Sequence, residues 1–113
     1  VLTVDELLAE ERPDLVRKLI EAIFKASAWA QAHPEETRRF VARESGATEE
    51  QVLAANGAEV HRHLGLGLEP ELVDAVEHYK NFLRDFGFLA ADFDIGDWVD
   101  RRHIDGFAAR AVA

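Results

Sequence analysis

Cysteine is absent from the 113 residues. That removes disulfides, thiolate nucleophiles and thiolate metal ligands together, and it leaves the redox compartment open because the absence fits any of them. Cations are scarce: 13 Lys and Arg stand against 22 Asp and Glu, a formal net charge of −9. Such a field repels a polyanion, so no nucleic acid is expected as a partner. Long apolar runs are missing too. None approaches the ~20 residues that a membrane span needs, and no basic start followed by an apolar stretch marks an export signal, so a soluble chain is expected. Prolines number three. Pro13, Pro34 and Pro70 are each followed by an acidic residue, but their unequal separations lack the fixed period of a solenoid and read as helix starts.

What is present is the composition of a folded domain, 48% hydrophobic and 31% charged residues, in a length that suits one domain with a modest core. The stretch from Pro13 to Ala32 organises the rest. Leu15, Val16, Leu19, Ile20, Ile23 and Phe24 recur at the three-and-four spacing of one helix face, widened by Ala22, Ala26 and Trp29, so that face is expected to be buried. Pro13 suits a first helical turn, and Asp14 puts negative charge at the positive end of the dipole. His33 precedes Pro34, which pushes it out of the helical region and ends the helix.

Before this helix, residues 1–4 (Val-Leu-Thr-Val) suit a short buried strand whose partners would lie elsewhere in a longer protein, and residues 5–11 suit a short helical turn. After it, a helix over 34–45 carries Glu35 and Glu36 in its first turn, Phe40 and Val41 as core anchors, and Gly46 as a left-handed cap. Thr48-Glu49-Glu50-Gln51 is a capping-box pattern that starts a helix running to about residue 56, with Val52, Leu53 and alanines as its apolar face. Residues 60–68 alternate loosely and carry Gly65 and Gly67, which predicts an extended connector. A helix from Pro70 presents Leu72, Val73, Val76, Tyr79, Phe82, Leu83 and Phe86, with Gly87 as its cap and Phe88 folding back to cover it. Residues 92–96 read as a turn, after which Asp97 caps a last helix holding Trp98, Val99, Ile104 and Phe107; residues 108–113 are expected to fray. The expected architecture is thus mainly α, four to five helices plus a short N-terminal strand, in one segment spanning 1–113.

Candidate chemistry is thin. His61 and His63, two apart, would share one side of a strand, and His78, His33 or a carboxylate would have to complete a metal site; structural zinc wants four ligands, so solvated histidines are favoured. Asp92, Asp94, Asp97 and Asp100 suggest calcium but lack the closing bidentate Glu of an EF-hand, and turn and cap duty explains them better. Gly65-Leu66-Gly67 lacks the third glycine and the strand-then-helix setting of a dinucleotide loop. Trp29, Tyr79 and Trp98 could stack on a ligand, yet aromatics at helical spacing are more often packing. Ser27 and Ser45 sit within and at the end of a helix with no glycine elbow, so no nucleophile and base pair is seen. No catalytic, cofactor-binding or metal-ligating residue is assigned, and the ligand-binding residues stay unidentified.

A family enters through the order of short motifs. Residues 1–4, Arg12-Pro13-Asp14-Leu15-Val16, Ala28-Trp29-Ala30 with His33-Pro34-Glu35-Glu36, the run Ala42-Arg43-Glu44-Ser45-Gly46-Ala47-Thr48-Glu49-Glu50, Phe82 to Leu89, and Asp94-Ile95-Gly96-Asp97-Trp98-Val99-Asp100 together resemble the C-terminal segment of type II periplasmic substrate-binding proteins of the aliphatic sulfonate, taurine, nitrate and thiamine-precursor class. The resemblance implies a two-lobed α/β parent whose cleft closes on a small, often anionic solute and delivers it to an ABC permease outside the cytoplasm. This chain would supply a strand and the helices that clad one lobe, with no catalysis of its own. No ligand residue of the family maps onto these positions. The same fold is similar to desulfinases and thiamine-precursor synthases, so an enzyme is the alternative, and a stand-alone helical interaction module is a further one. Apolar faces without their lobe would also favour self-association.

Overall fold

Asp5 sets the first helix, α1 (Glu6–Glu11), because its carboxylate accepts the Leu8 N–H at 3.1 Å, satisfying one of the donors that a helix start leaves open. Arg12 then breaks the helix with φ −131° and ψ 57°, and Pro13 opens α2 (Pro13–Ala32). His33 repeats that conformation, φ −132° and ψ 64°, before Pro34 opens α3 (Pro34–Ser45). Both joints are the ones that proline dictates, since it excludes the preceding residue from the helical region. The computed structural model describes residues 2–107. The chain is mainly helical, and among the described residues there is no strand. Leu2 to Val4, expected as part of a strand with Val1, are irregular and exposed; with no strand beside them their backbone groups have no ladder to join. Val1 lies outside the described residues.

The chain divides into two compact units, Val1–Leu66 and Gly67–Ala113. In the first, Gly46 takes φ +69° and Ala47 donates to the Ala42 carbonyl at 3.0 Å, a left-handed stop that only glycine adopts without strain. The predicted capping box is present: Gln51 N–H donates to Thr48 Oγ1 at 3.2 Å and Thr48 N–H to Gln51 Oε1 at 2.9 Å. It starts α4 (Glu49–Asn56), which ends at Gly57.

The connector expected over 60–68 is extended only in part. Val60–Arg62 form a turn of 3-10 helix whose Val60 joins Ala42 and Val52 in a small core, with Val41 and Ala47 packed against it. Burial of Val60 outweighs the loose alternation that suggested a strand-like path. On α2 the buried residues are Val16, Ile20, Ser27 and Ala30, while Leu15 and Leu19 are exposed, so only part of the predicted face is covered. Phe40, expected as a core anchor of α3, is also exposed; its place is taken by Thr37 and Ala42. Thr37 Oγ1 donates to the Ala30 carbonyl at 3.3 Å and fastens α3 to the end of α2.

The second unit is built on α5 (Pro70–Asp85). Gly87, at φ +77°, donates to the Arg84 carbonyl at 3.0 Å and Phe88 N–H to the Leu83 carbonyl at 2.8 Å, the paired bonds of a Schellman stop. The Phe88 side chain does not fold back as expected: it is 72% exposed. α6 (Ile95–Trp98) is capped by Asp94, not by Asp97 as expected; the Asp97 N–H is the donor to Asp94 Oδ1, at 3.1 Å. A separation of three positions from cap to donor is the spacing the hydrogen bond needs, and Asp94 is the acid standing that far ahead. α6 ends at Trp98, so Ile104 and Phe107 lie beyond it, with residues 105–107 helical. The expectation for residues 108–113 falls outside the described residues.

Candidate functional site

α5 carries a wide apolar arc of which half is covered. At about 100° per residue, Val73, Val76, Lys80 and Leu83 share one side, and Leu72, Tyr79, Phe82 and Phe86 lie next to them. The first set is buried or half-buried. The second is exposed, with Tyr79 at 62% and Phe86 at 68%. Its rings make a ladder along the helix: Tyr79 stacks near Phe82 with centroids 6.3 Å apart, and Phe82 meets Phe86 at 4.6 Å. Tyr79 had been expected on the buried side. The covered side is narrower than the hydrophobic pattern suggests because a lysine completes it.

Lys80 is that residue, only 7% exposed. Its Nζ donates to the Phe93 carbonyl at 2.8 Å and meets Asp92 Oδ1 at 2.8 Å, with the Phe93 ring centroid 5.4 Å away. Arg84 Nη1 reaches the other oxygen, Asp92 Oδ2, at 2.8 Å. A buried ammonium is tolerated when it is paired and hydrogen-bonded in this way. The Asp92 carboxyl is held below its usual range, first by the Lys80 hydrogen bond and then by the Phe93 N–H and Arg84, against partial desolvation. Asp100 is pulled down to about 2, chiefly by its hydrogen bond from Arg102. The acidic cluster therefore does structural work: Asp92 clamps, Asp94 caps, Asp100 anchors a turn.

In the first unit, α2 and α3 expose a second aromatic surface. Trp29 and Phe40 line an open depression of about 340 Å³ together with Glu36, Arg39 and Arg43. The indole is braced by His33, whose ring stacks on it at 4.6 Å and 10° and whose Nδ1 lies 2.8 Å from the Trp29 carbonyl oxygen. The Arg43 guanidinium sits 4.9 Å over the Phe40 ring, a cation–π contact. Arg39 stands 3.7 Å from both Glu35 and Glu49, and Arg43 3.2 Å from Glu44.

The histidines do not assemble. His78 Nδ1 is 3.0 Å from the Asp74 carbonyl oxygen, His63 is exposed, and His61 is half-buried with its Nδ1 lacking a partner. His103, which the sequence did not single out, has a side chain 10% exposed and Nε2 3.6 Å from Asp100. Among the described residues no three His, Asp or Glu side chains converge as metal ligands would. Ser45 Oγ donates to the Val41 carbonyl at 2.7 Å, so it serves its own helix, while Ser27 is buried beside Gly65. Gly65 and Gly67 follow the 3-10 turn as irregular chain, and among the described residues no strand precedes them to build a phosphate cradle. Among the described residues, no helix is long and apolar enough to cross a membrane. Comparison with known proteins finds no match, whether to a protein family, a curated protein or a solved structure.

Proposed function

We propose that the chain is the C-terminal helical part of the solute-binding component of an ABC importer, acting outside the cytoplasm and without catalysis of its own. The observation that carries this reading is the stripe Leu72, Tyr79, Phe82 and Phe86, exposed along α5 beside a covered face. A continuous aromatic ladder with no charged side chain on it is the surface a helix lays on a sheet. The solute would be a small anion or heterocycle of the sulfonate, nitrate, taurine or thiamine-precursor kind, bound in a cleft built mainly by other residues, and the permease would be the macromolecular partner.

The test is a thermal-shift screen of the intact natural protein against taurine, alkanesulfonates, nitrate and pyrimidines. A ligand that binds only the folded state at a hundred times its Kd adds about 2.7 kcal/mol, so a rise of several degrees with one of them is expected. Absence of any shift, or an intact protein with no α/β lobe besides these helices, would overturn the reading.

A further inference from the structure

We infer that the pair Asn56-Gly57 is a site of spontaneous deamidation whose product loosens the end of α4. The inference goes beyond the transport reading and does not depend on it. The chain holds two asparagines, Asn56 and Asn81, and asparagine is a thermolabile residue where its neighbours allow the reaction. Asn81 lies inside α5, half-buried, with Phe82 after it. Asn56 is the last residue of α4, and both it and Gly57 are exposed. Gly57 has no Cβ to crowd an attack by its amide nitrogen, and nothing lies within 4 Å of where one would stand. The Gly57 N–H donates to the Leu53 carbonyl at 2.9 Å, so the reaction runs when that terminal bond opens. The end of a helix of eight residues opens at small cost, whereas the interior of α5 does not.

The chemistry needs only water and hydroxide. Hydroxide takes the proton from the Gly57 amide, and the nitrogen attacks Cγ of Asn56. The N–Cγ bond forms, the Cγ–Nδ2 bond breaks, and Nδ2 leaves as ammonia after taking a proton from water, which restores the hydroxide. Water then opens the cyclic imide at either carbonyl, giving Asp or isoAsp. The consequence follows from what Asn56 does in the fold. Its Nδ2 donates to the Val52 carbonyl at 3.2 Å, helping to close the end of α4. Deamidation replaces that donor with a carboxylate, which faces the same carbonyl and stands at the negative end of the helix dipole. IsoAsp also lengthens the backbone by one methylene between Val52 and Val60, which both belong to the small core.

The experiment incubates the full chain in mildly alkaline buffer, for a time that converts a free peptide spanning residues 53–60, and follows both asparagines by peptide mass spectrometry. Asn56 is expected to convert more than about tenfold faster than Asn81. Its products are expected to be Asp and isoAsp together, and the reaction to slow in mildly acidic buffer. Asn56→Gln, whose longer side chain disfavours ring closure, is expected to leave the site unconverted. The converted chain is expected to melt a few degrees below the fresh one, while Asn56→Gln incubated in parallel keeps its midpoint. An unconverted Asn56, equal conversion at Asn81, or Asp without isoAsp overturns the inference. Equal melting of the fresh and the fully converted chain also overturns it, since α4 would then not depend on the Asn56 amide.

Discussion

The two units hold themselves together by different means. In the first, the interior is neutral, with the Thr48 and Gln51 box, the Thr37 hydroxyl on the Ala30 carbonyl, and a small aliphatic core of Ala42, Val52 and Val60, while an Arg38 to Glu49 ion pair at 3.0 Å ties α3 to α4 nearer the surface. In the second, the tie between α5 and the chain that follows it is ionic, with Lys80 and Arg84 gripping Asp92. The exposed aromatics differ likewise. Trp29 and Phe40 are framed by arginines, whereas the Tyr79, Phe82 and Phe86 ladder is bare. A framed patch is compatible with water and with exchange of partners; a bare ladder is compatible with permanent cover. Exposure alone therefore says little about the role of a surface, and the side chains around it say more.

The comparison can be broken most forcefully at the aliphatic core. Val52→Asp would place an unpaired charge among Ala42 and Val60, and a loss of more than about 4 kcal/mol is expected, enough to unfold the first unit. Urea titration followed by amide protection of residues 42 and 60 checks it, and retained protection would show that the core is not where the stability of this unit lies. Lys80→Met keeps the unbranched apolar stem but leaves the Phe93 carbonyl without its donor. It should cost the second unit about 1–3 kcal/mol, less than a stranded charge because Asp92 keeps Arg84. A neutral effect in the same titration would demote the clamp to a surface pair.

Acid is expected to loosen the carboxylate clamps of the second unit before the uncharged cap of α4 in the first. The carboxyls of Asp92 and Asp100 are lowered in the folded state, Asp100 to about 2. Their contribution is fully present above the unfolded value near pH 4 and is lost as pH falls through the folded one. Protection of the Phe93 amide, which donates to Asp92 Oδ1 at 2.9 Å, is expected to fall below about pH 4, while that of the Gln51 amide in its uncharged cap holds. Equal loss at both would erase the distinction. Thr48→Ala should cost about 1 kcal/mol, the ordinary worth of such a cap, read as a shift in thermal midpoint. The smallest effect is expected from Phe82→Ser with Phe86→Ser: within about 0.5 kcal/mol in the chain by itself, with improved solubility at high concentration. A large loss of stability there would mean that the stripe is already covered.

Helix starts and stops were legible in the sequence because they rest on local chemistry. Pro13, Pro34 and Pro70 fix the residue before them, Gly46 and Gly87 take a backbone conformation that side chains resist, and Thr48 with Gln51 satisfies its own donors. Burial was legible only in part. Periodicity gives the angular width of an apolar arc but not how much of it a neighbour covers, so Phe40 and Tyr79 were placed inside and stand outside. Lys80 escaped notice for the converse reason. Its position between Val76 and Leu83 was a readable signal, three and four residues away on one helix face, but a lysine is ordinarily assigned to solvent, and its partners Asp92 and the Phe93 carbonyl, the latter thirteen residues on, reach it only after the chain has folded back.

Arg12 and His33 adopt nearly the same backbone angles, each a single residue between two helices. Such a joint has no slack. Its direction is set by covalent geometry and one ring, so α1, α2 and α3 behave as links indexed to one another, like teeth of a gear. One residue inserted at the His33 joint would re-aim α3 relative to α2. Thr37 would then leave the Ala30 carbonyl, and Trp29 and Phe40 would no longer look out over the same depression. The chain can vary the residues around these joints far more freely than it can vary their length.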